Sequence, residues 1–251
     1  FTLKSGSTKT MKKLGAWVHD HPDGWLNVIG AVIGALTAIG AIFFAWMLER
    51  LATVVEHLQF MFQGTGSWGI LLLPLLPMIG ALITGILVYR YAREAGGHGV
   101  PQVLDAIVRR NGRISARTGV VKVIASICSV GTGGSAGAEG PIVQIGSVIG
   151  SNLAQMLRID PRYIGTLVGC GAAGGIASIF NAPIAGVFFA IEILLRDFSL
   201  KAFTPIVIAS VFATAMTQVM LPKEDAIFAF ELTGYLFTLS ELPSYMVLGV
   251  L

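Results

Sequence analysis

Charge is what this 251-residue sequence has least of. Only 12% of its residues are Asp, Glu, Lys or Arg, whereas soluble domains carry about 25%. That shortage excludes a disordered chain, a solvated coiled coil and most soluble enzymes. A surface this poor in charge must face lipid. Cysteine is scarce too: Cys128 and Cys170 are the two, both inside apolar runs. This excludes a disulfide framework and points to buried thiols. Nothing recommends nucleic acid, because the net charge is only +3 and the Lys and Arg residues sit between apolar stretches. The basic start lacks the short apolar core and small-residue cleavage site of a signal peptide. No catalytic residue, metal site or cofactor is read from the sequence.

What the chain has in abundance is apolar sequence, 54% of residues, and glycine, 31 in all. Crossing the ~30 Å hydrocarbon core takes about 20 residues. Uncharged runs at 24–48, 68–89 and 202–222 have that length. The runs on either side of Glu139 do not, and the break between them holds Gly137, Gly140 and Pro141. Interrupted helices are tolerated in a bilayer only where protein or a water-filled cavity surrounds the freed backbone. The expected fold is therefore all-α and polytopic, with broken, re-entrant, tilted helices.

Basic clusters fall at 4–13, Arg90/Arg93, 109–122, Arg158/Arg162 and Arg196/Lys201. The positive-inside rule places all of them on the cytoplasmic side. That parity requires 123–157 and 163–191 to be paired half-helices that return to the side they left. It also puts the acidic segment with Glu224, Asp225, Glu231 and Glu241 outside. The chain divides into a cytoplasmic N-terminal segment, 1–23, and a membrane domain, 24–251. Because an apolar run is cut at Leu251, that domain reads as part of a longer protein. The expected location is the cell (inner) membrane. Glycine pairs spaced four apart, Gly30/Gly34, Gly146/Gly150, Gly165/Gly169 and Gly171/Gly175, let helix backbones approach closely. These are read as packing, not chemistry.

Three clusters stand apart from the packing pattern. Residues 94–101 read Glu-Ala-Gly-Gly-His-Gly-Val-Pro and open a short helix. Residues 131–141 read Gly-Thr-Gly-Gly-Ser-Ala-Gly-Ala-Glu-Gly-Pro and open another. Residues 179–186 read Ile-Phe-Asn-Ala-Pro-Ile-Ala-Gly and lead to Glu192. In the first two, a glycine-rich turn and a proline begin a helix, where the missing proline N–H costs nothing. A helix N-terminus presents unbonded N–H groups and a partial positive charge of about +0.5 e. Two such ends make an anion site with no buried Lys or Arg, and partial charges hold an ion yet release it. Glu139 lies in the second turn itself. An intramembrane carboxylate is costly and marks a functional site by default. It can occupy the anion's own position when charged and leave when protonated, which makes it both gate and proton carrier. Capping of the following helix is the plainer alternative.

Residues 94–101, 135–150 and 171–192 together resemble the CLC family of chloride channels and chloride/proton antiporters. The resemblance is ordered, extends over most of 68–196, and covers the family's first half. It implies a homodimer in the lipid bilayer with one anion pathway per subunit, built from two inverted repeats of which this chain holds the first. The transported ion it implies is chloride or a similar small inorganic anion, with protons as the possible counter-substrate. Glu139 falls on the family's gating glutamate. The anion-binding turns that the resemblance implies are His98, Gly99, Val100 and Pro101, and Gly137, Ala138, Gly140 and Pro141.

Three positions depart from the family pattern. His98 stands where chloride-selective members carry serine and nitrate-preferring ones proline; it either contacts the anion or bonds neighbouring backbone. Ala138 replaces a basic residue. Ile193 replaces the inner proton-transfer glutamate, and Ile cannot take a proton, so the reading leans to a passive pathway, with a coupled chloride, nitrate or fluoride antiporter as the alternative. His98 is then the remaining titratable group near the inner mouth. Glu192 is expected to pair with Arg196, four residues on. A remote alternative is a membrane-embedded serine hydrolase, since residues 133–137 match Gly-x-Ser-x-Gly around Ser135; that elbow requires a preceding strand. A non-transporting scaffold accounts for the packing glycines but not for Glu139.

Overall fold

The computed structural model describes residues 22–63 and 72–221. Residues 1–21 of the N-terminal segment and the acidic stretch after Leu221 lie outside the described residues. Eight α-helices are described: α1 (Pro22–Gln63), α2 (Leu75–Tyr91), α3 (Val100–Arg110), α4 (Ala116–Gly131), α5 (Glu139–Met156), α6 (Pro161–Phe180), α7 (Pro183–Phe188) and α8 (Leu200–Met220). No strand occurs among the described residues. Three helices, within Gly24–Phe62, Pro161–Phe180 and Leu200–Met220, are long and apolar enough to cross a membrane.

The breaks fall where glycine and proline put them. Helices α4 and α5 have 16 and 18 residues and flank the turn before Glu139. Helices α6 and α7 flank Asn181, which takes the left-handed conformation at φ 50°. The first helix is longer than its uncharged run. It continues past Leu48 for 42 residues in all, about 63 Å at 1.5 Å per residue. Glu49, Arg50 and Glu56 end the apolar run without ending the helix, because no Gly or Pro follows Gly40 until Gly64 and charged residues with long stems are good helix formers.

Glycine sets the packing. A Cβ on Gly30 would meet the Pro205 carbonyl oxygen of α8 at 2.7 Å, and one on Gly34 would overlap the Ala209 carbonyl. Likewise Gly146 of α5 and Gly171 of α6 face each other's carbonyls, and Gly150 faces that of Leu167. Within a bilayer, helix association rests on such van der Waals contact, since lipid is as apolar as leucine. The largest core cluster joins α1, α5, α6 and α8 through Leu26, Ile33, Val143, Leu167 and Ile206, all at most 2% exposed. The shorter helix α3 is tied to this core just past its C-terminal end. Side chains fix the link: Ser151 of α5 accepts from the Ile114 N–H (2.8 Å) and donates to the Gly112 carbonyl (2.6 Å).

Candidate functional site

The two glycine-opened helix starts meet. A Cβ on Gly99 would overlap the Gly140 carbonyl oxygen, and one on Gly140 would overlap the His98 carbonyl and lie 2.8 Å from His98 Nδ1. Only glycine on both sides permits that approach. Gly99 also has φ 116°, outside the range of ordinary side chains. Its N–H donates to Gln102 Oε1 at 2.9 Å, which fixes the entry to α3.

Backbone donors remain free at both starts. In α3 the first intrahelical bond runs from Val103 N to Gly99 O (3.1 Å), and in α5 from Ile142 N to Ala138 O (3.0 Å). The N–H groups of Val100 and Gln102, and of Glu139 and Gly140, therefore have no acceptor within their helices. Neither start carries a side-chain cap on these groups. Pro101 and Pro141 lie within the first turns, where they remove no helix bond.

Beside this junction lies a cavity of about 310 Å³, lined among others by Gly96, Gly97, His98, Ser135, Gly137 and Pro141. Glu139 is not itself in the lining but neighbours Gly137, which is. Its carboxylate folds back over Gly137, close enough that a Cβ there would overlap it. No hydrogen bond or ion pair holds it among the described residues. His98 likewise makes no hydrogen bond there. Val100 and Ala138 turn their side chains into the two apolar clusters, so they offer an anion backbone only. Pro101 lines a second, smaller cavity with Arg110 and Arg113.

One cavity residue was assigned elsewhere by sequence. Lys122, grouped with the cytoplasmic basic residues, is 4% exposed. Its Nζ donates to the carbonyls of Gly97 (2.6 Å) and Ala95 (3.3 Å), the loop that leads into α3. A buried cation thus stands at the site, contrary to the expectation that none would. The signal was available: Thr118, Lys122, Ser126 and Ser129 repeat at helical spacing in an apolar segment and form one face of α4, of which Lys122, Ser126 and Ser129 line the cavity. Lys122 ties the glycine loop in place and adds a full charge to the two partial ones.

The expected Glu192–Arg196 pair is not formed. Residues Phe189–Leu195 are π-helical, and Arg196 leaves the helix at φ 52°. A π-helix bonds i to i+5, so the four-residue spacing no longer stacks the two side chains. Ile193 is 45% exposed. The segment before Ser135 is helix α4, not the strand that a nucleophile elbow requires.

Free helix N-termini, a buried ammonium and an unpartnered carboxylate beside a cavity form an arrangement suited to a small anion. The chain belongs to the voltage-gated chloride channel (CLC) family, whose sequence profile matches residues 80–251. Among its relatives is the H(+)/Cl(-) exchange transporter ClcA of Citrobacter koseri, 34% identical over 194 residues, covering 72% of this chain and 40% of that protein. Its fold is also that of a slow cyanobacterial Cl-/H+ antiporter (TM-score 0.74, 24% identity, 90% of this chain and 53% of the other). A CLC-type fluoride/proton antiporter matches with a TM-score of 0.69 and 28% identity over 90% of this chain and 54% of the other. The chain spans about half or less of the length of the relatives it matches.

Proposed function

We propose that this chain forms part of a pathway for chloride or a similar small anion, with Glu139 as its gate and proton acceptor. The observation that carries the proposal is the junction of Gly99 and Gly140, which brings two helix N-termini with free first-turn N–H groups together, close to a cavity and to the Glu139 carboxylate that no described residue holds. Charged, the carboxylate competes with an anion for the free N–H groups. Protonated, it yields them. The backbone turns 98–101 and 137–141 bind the ion, and Lys122 holds the first of them.

Transport in exchange for protons is the reading we favour over a passive channel. Two relatives with proton-exchange names support it, one for chloride and one for fluoride, whereas Ile193 removes one carboxylate from the inner route. The working unit we propose is a homodimer in the cell membrane with its N-terminus in the cytoplasm.

The test is a chloride gradient imposed across liposomes holding the full-length protein, with external chloride and pH recorded together. Chloride leaving down its gradient should drive protons uphill. No anion flux above protein-free vesicles would refute transport, and chloride flux with no proton movement would refute the coupling alone.

A further inference from the structure

Helix α2 packs one face on α4. Gly80 meets the Cys128 carbonyl of α4 and Thr132 just past its end, and Thr84 donates to the Ala125 carbonyl at 2.8 Å. The opposite face is a continuous exposed stripe at Leu75, Met78, Ile79, Leu82, Ile83 and Ile86, spaced i, i+3, i+4 throughout. The stripe ends on Tyr89, 71% exposed, with Tyr91 beside it at 51%. Three arginines sit against these two rings: Arg93 lies 4.6 Å from the Tyr89 centroid, and Arg117 and Arg90 lie 5.7 and 5.9 Å from that of Tyr91. None of the three pairs with a carboxylate among the described residues, whereas Arg109, Arg110 and Arg162 all do. The nearby Glu94 is already engaged by Arg110 and Thr118.

We propose that this end of α2 is a docking surface for anionic phospholipid. The acyl chains lie along the apolar stripe, and the headgroup phosphate meets Arg90, Arg93 and Arg117. The charge complementarity is local and uncompensated, and a ring against each guanidinium face leaves its N–H edge free for phosphate oxygens. Tyrosine at a helix end marks the level of the headgroups. Helix α2 has 17 residues, about 26 Å at 1.5 Å per residue, which brings its tyrosines to one margin of the ~30 Å core. The proposal rests on the chain being membrane-embedded and is independent of what it transports.

Native mass spectrometry of the full-length protein in mild detergent tests it, comparing retention of phosphatidylglycerol with phosphatidylcholine of the same chains. Phosphatidylglycerol should be retained preferentially. Each arginine near a charged surface accounts for about a fivefold preference, so R90Q/R93Q/R117Q should abolish it while R109Q, a carboxylate-paired neighbour, should not. The triple lysine variant guards against misfolding and should keep part of the preference. Tyr89→Phe should behave as wild type and Tyr89→Leu should not, since the ring and not the hydroxyl carries the contact. Equal retention of the two lipids would overturn the proposal, as would a full preference in the glutamine triple. So would displacement by glycerol phosphate at equal concentration, which would make the site one for soluble anions. Absence of any bound lipid would show that protein covers the stripe instead.

Discussion

Two helix breaks in this chain share one sequence device and come to opposite ends. Before α5, residues 132–138 form a glycine-rich turn; before α7, Asn181 and Ala182 suffice. Each is followed by a proline in the first turn. At the second break two groups are met from α8: Gln218 donates to Asn181 Oδ1 at 2.9 Å, and Ser210 donates to the Pro183 carbonyl at 2.7 Å. Neither helix start has a side-chain cap, but at the first the exposed Glu139 carboxylate has no partner among the described residues. A break tied to a neighbouring helix is architecture. The other leaves its carboxylate untied, as the gating role proposed for Glu139 requires.

The sharpest way to break this comparison is Glu139→Ala. If the open turn functions through that carboxylate, the variant should lose all pH dependence of anion flux, and any driven proton movement with it. A permanently neutral side chain cannot alternate between taking and leaving the N–H groups. Flux assays at acidic and neutral pH on the full-length variant decide it. Wild-type pH dependence would mean that another group titrates and that the open turn is only a longer version of the closed one.

A paired substitution separates the two breaks more finely. Alanine at Gly140 would collide with the His98 carbonyl, and alanine at Gly186 with the Ala173 carbonyl. Both overpack helix contacts, which costs about 1–3 kcal/mol, so both should lower the folded yield. Only Gly140→Ala also moves the two N-termini apart. We expect its anion flux per folded molecule to fall by about tenfold, equivalent to ~1.4 kcal/mol, with Gly186→Ala unchanged on that scale. Equal losses per folded molecule would erase the distinction.

How much of this was legible in the sequence follows from what each feature depends on. The breaks, the two proline-started helices and the packing glycines are set by neighbours in the chain, and the structure keeps them: Gly34, Gly146 and Gly171 all touch backbone carbonyls. The meeting of Gly99 with Gly140 joins residues 41 apart in sequence; the sequence brings the two ends to one anion site but does not show this glycine contact. Lys122 was misplaced because a lysine within a basic cluster reads as solvated until a fold buries it and supplies the Ala95 and Gly97 carbonyls. The π-helix at Phe189–Leu195 is invisible to a four-residue spacing rule, and so the Glu192–Arg196 pair was wrongly expected. The lean toward a passive pathway rested on Ile193 alone, and one missing carboxylate is a weaker guide than relatives with exchanger names.

A third helix start supplies the smallest test. Helix α6 begins capped where α5 does not: the Asp160 carboxylate accepts from the Arg162 backbone N–H at 3.0 Å and from its guanidinium at 3.1 and 3.0 Å. These bonds from Arg162 hold the Asp160 carboxyl below the usual carboxylate range. A carboxyl with a lower pKa folded than unfolded stabilises the fold above its unfolded pKa, and that contribution is lost as pH falls through the folded one. Asn at this position still caps the helix but neither titrates nor draws the guanidinium as strongly. Asp160→Asn should therefore melt slightly below wild type at neutral pH, with the gap closing in acid. Since the pair is fully exposed, salt should narrow the gap as well. Thermal unfolding of both proteins at neutral and acidic pH, at low and high salt, measures this. Anion flux should not change, because this helix start is closed by its own side chain and leaves no donor free for an ion.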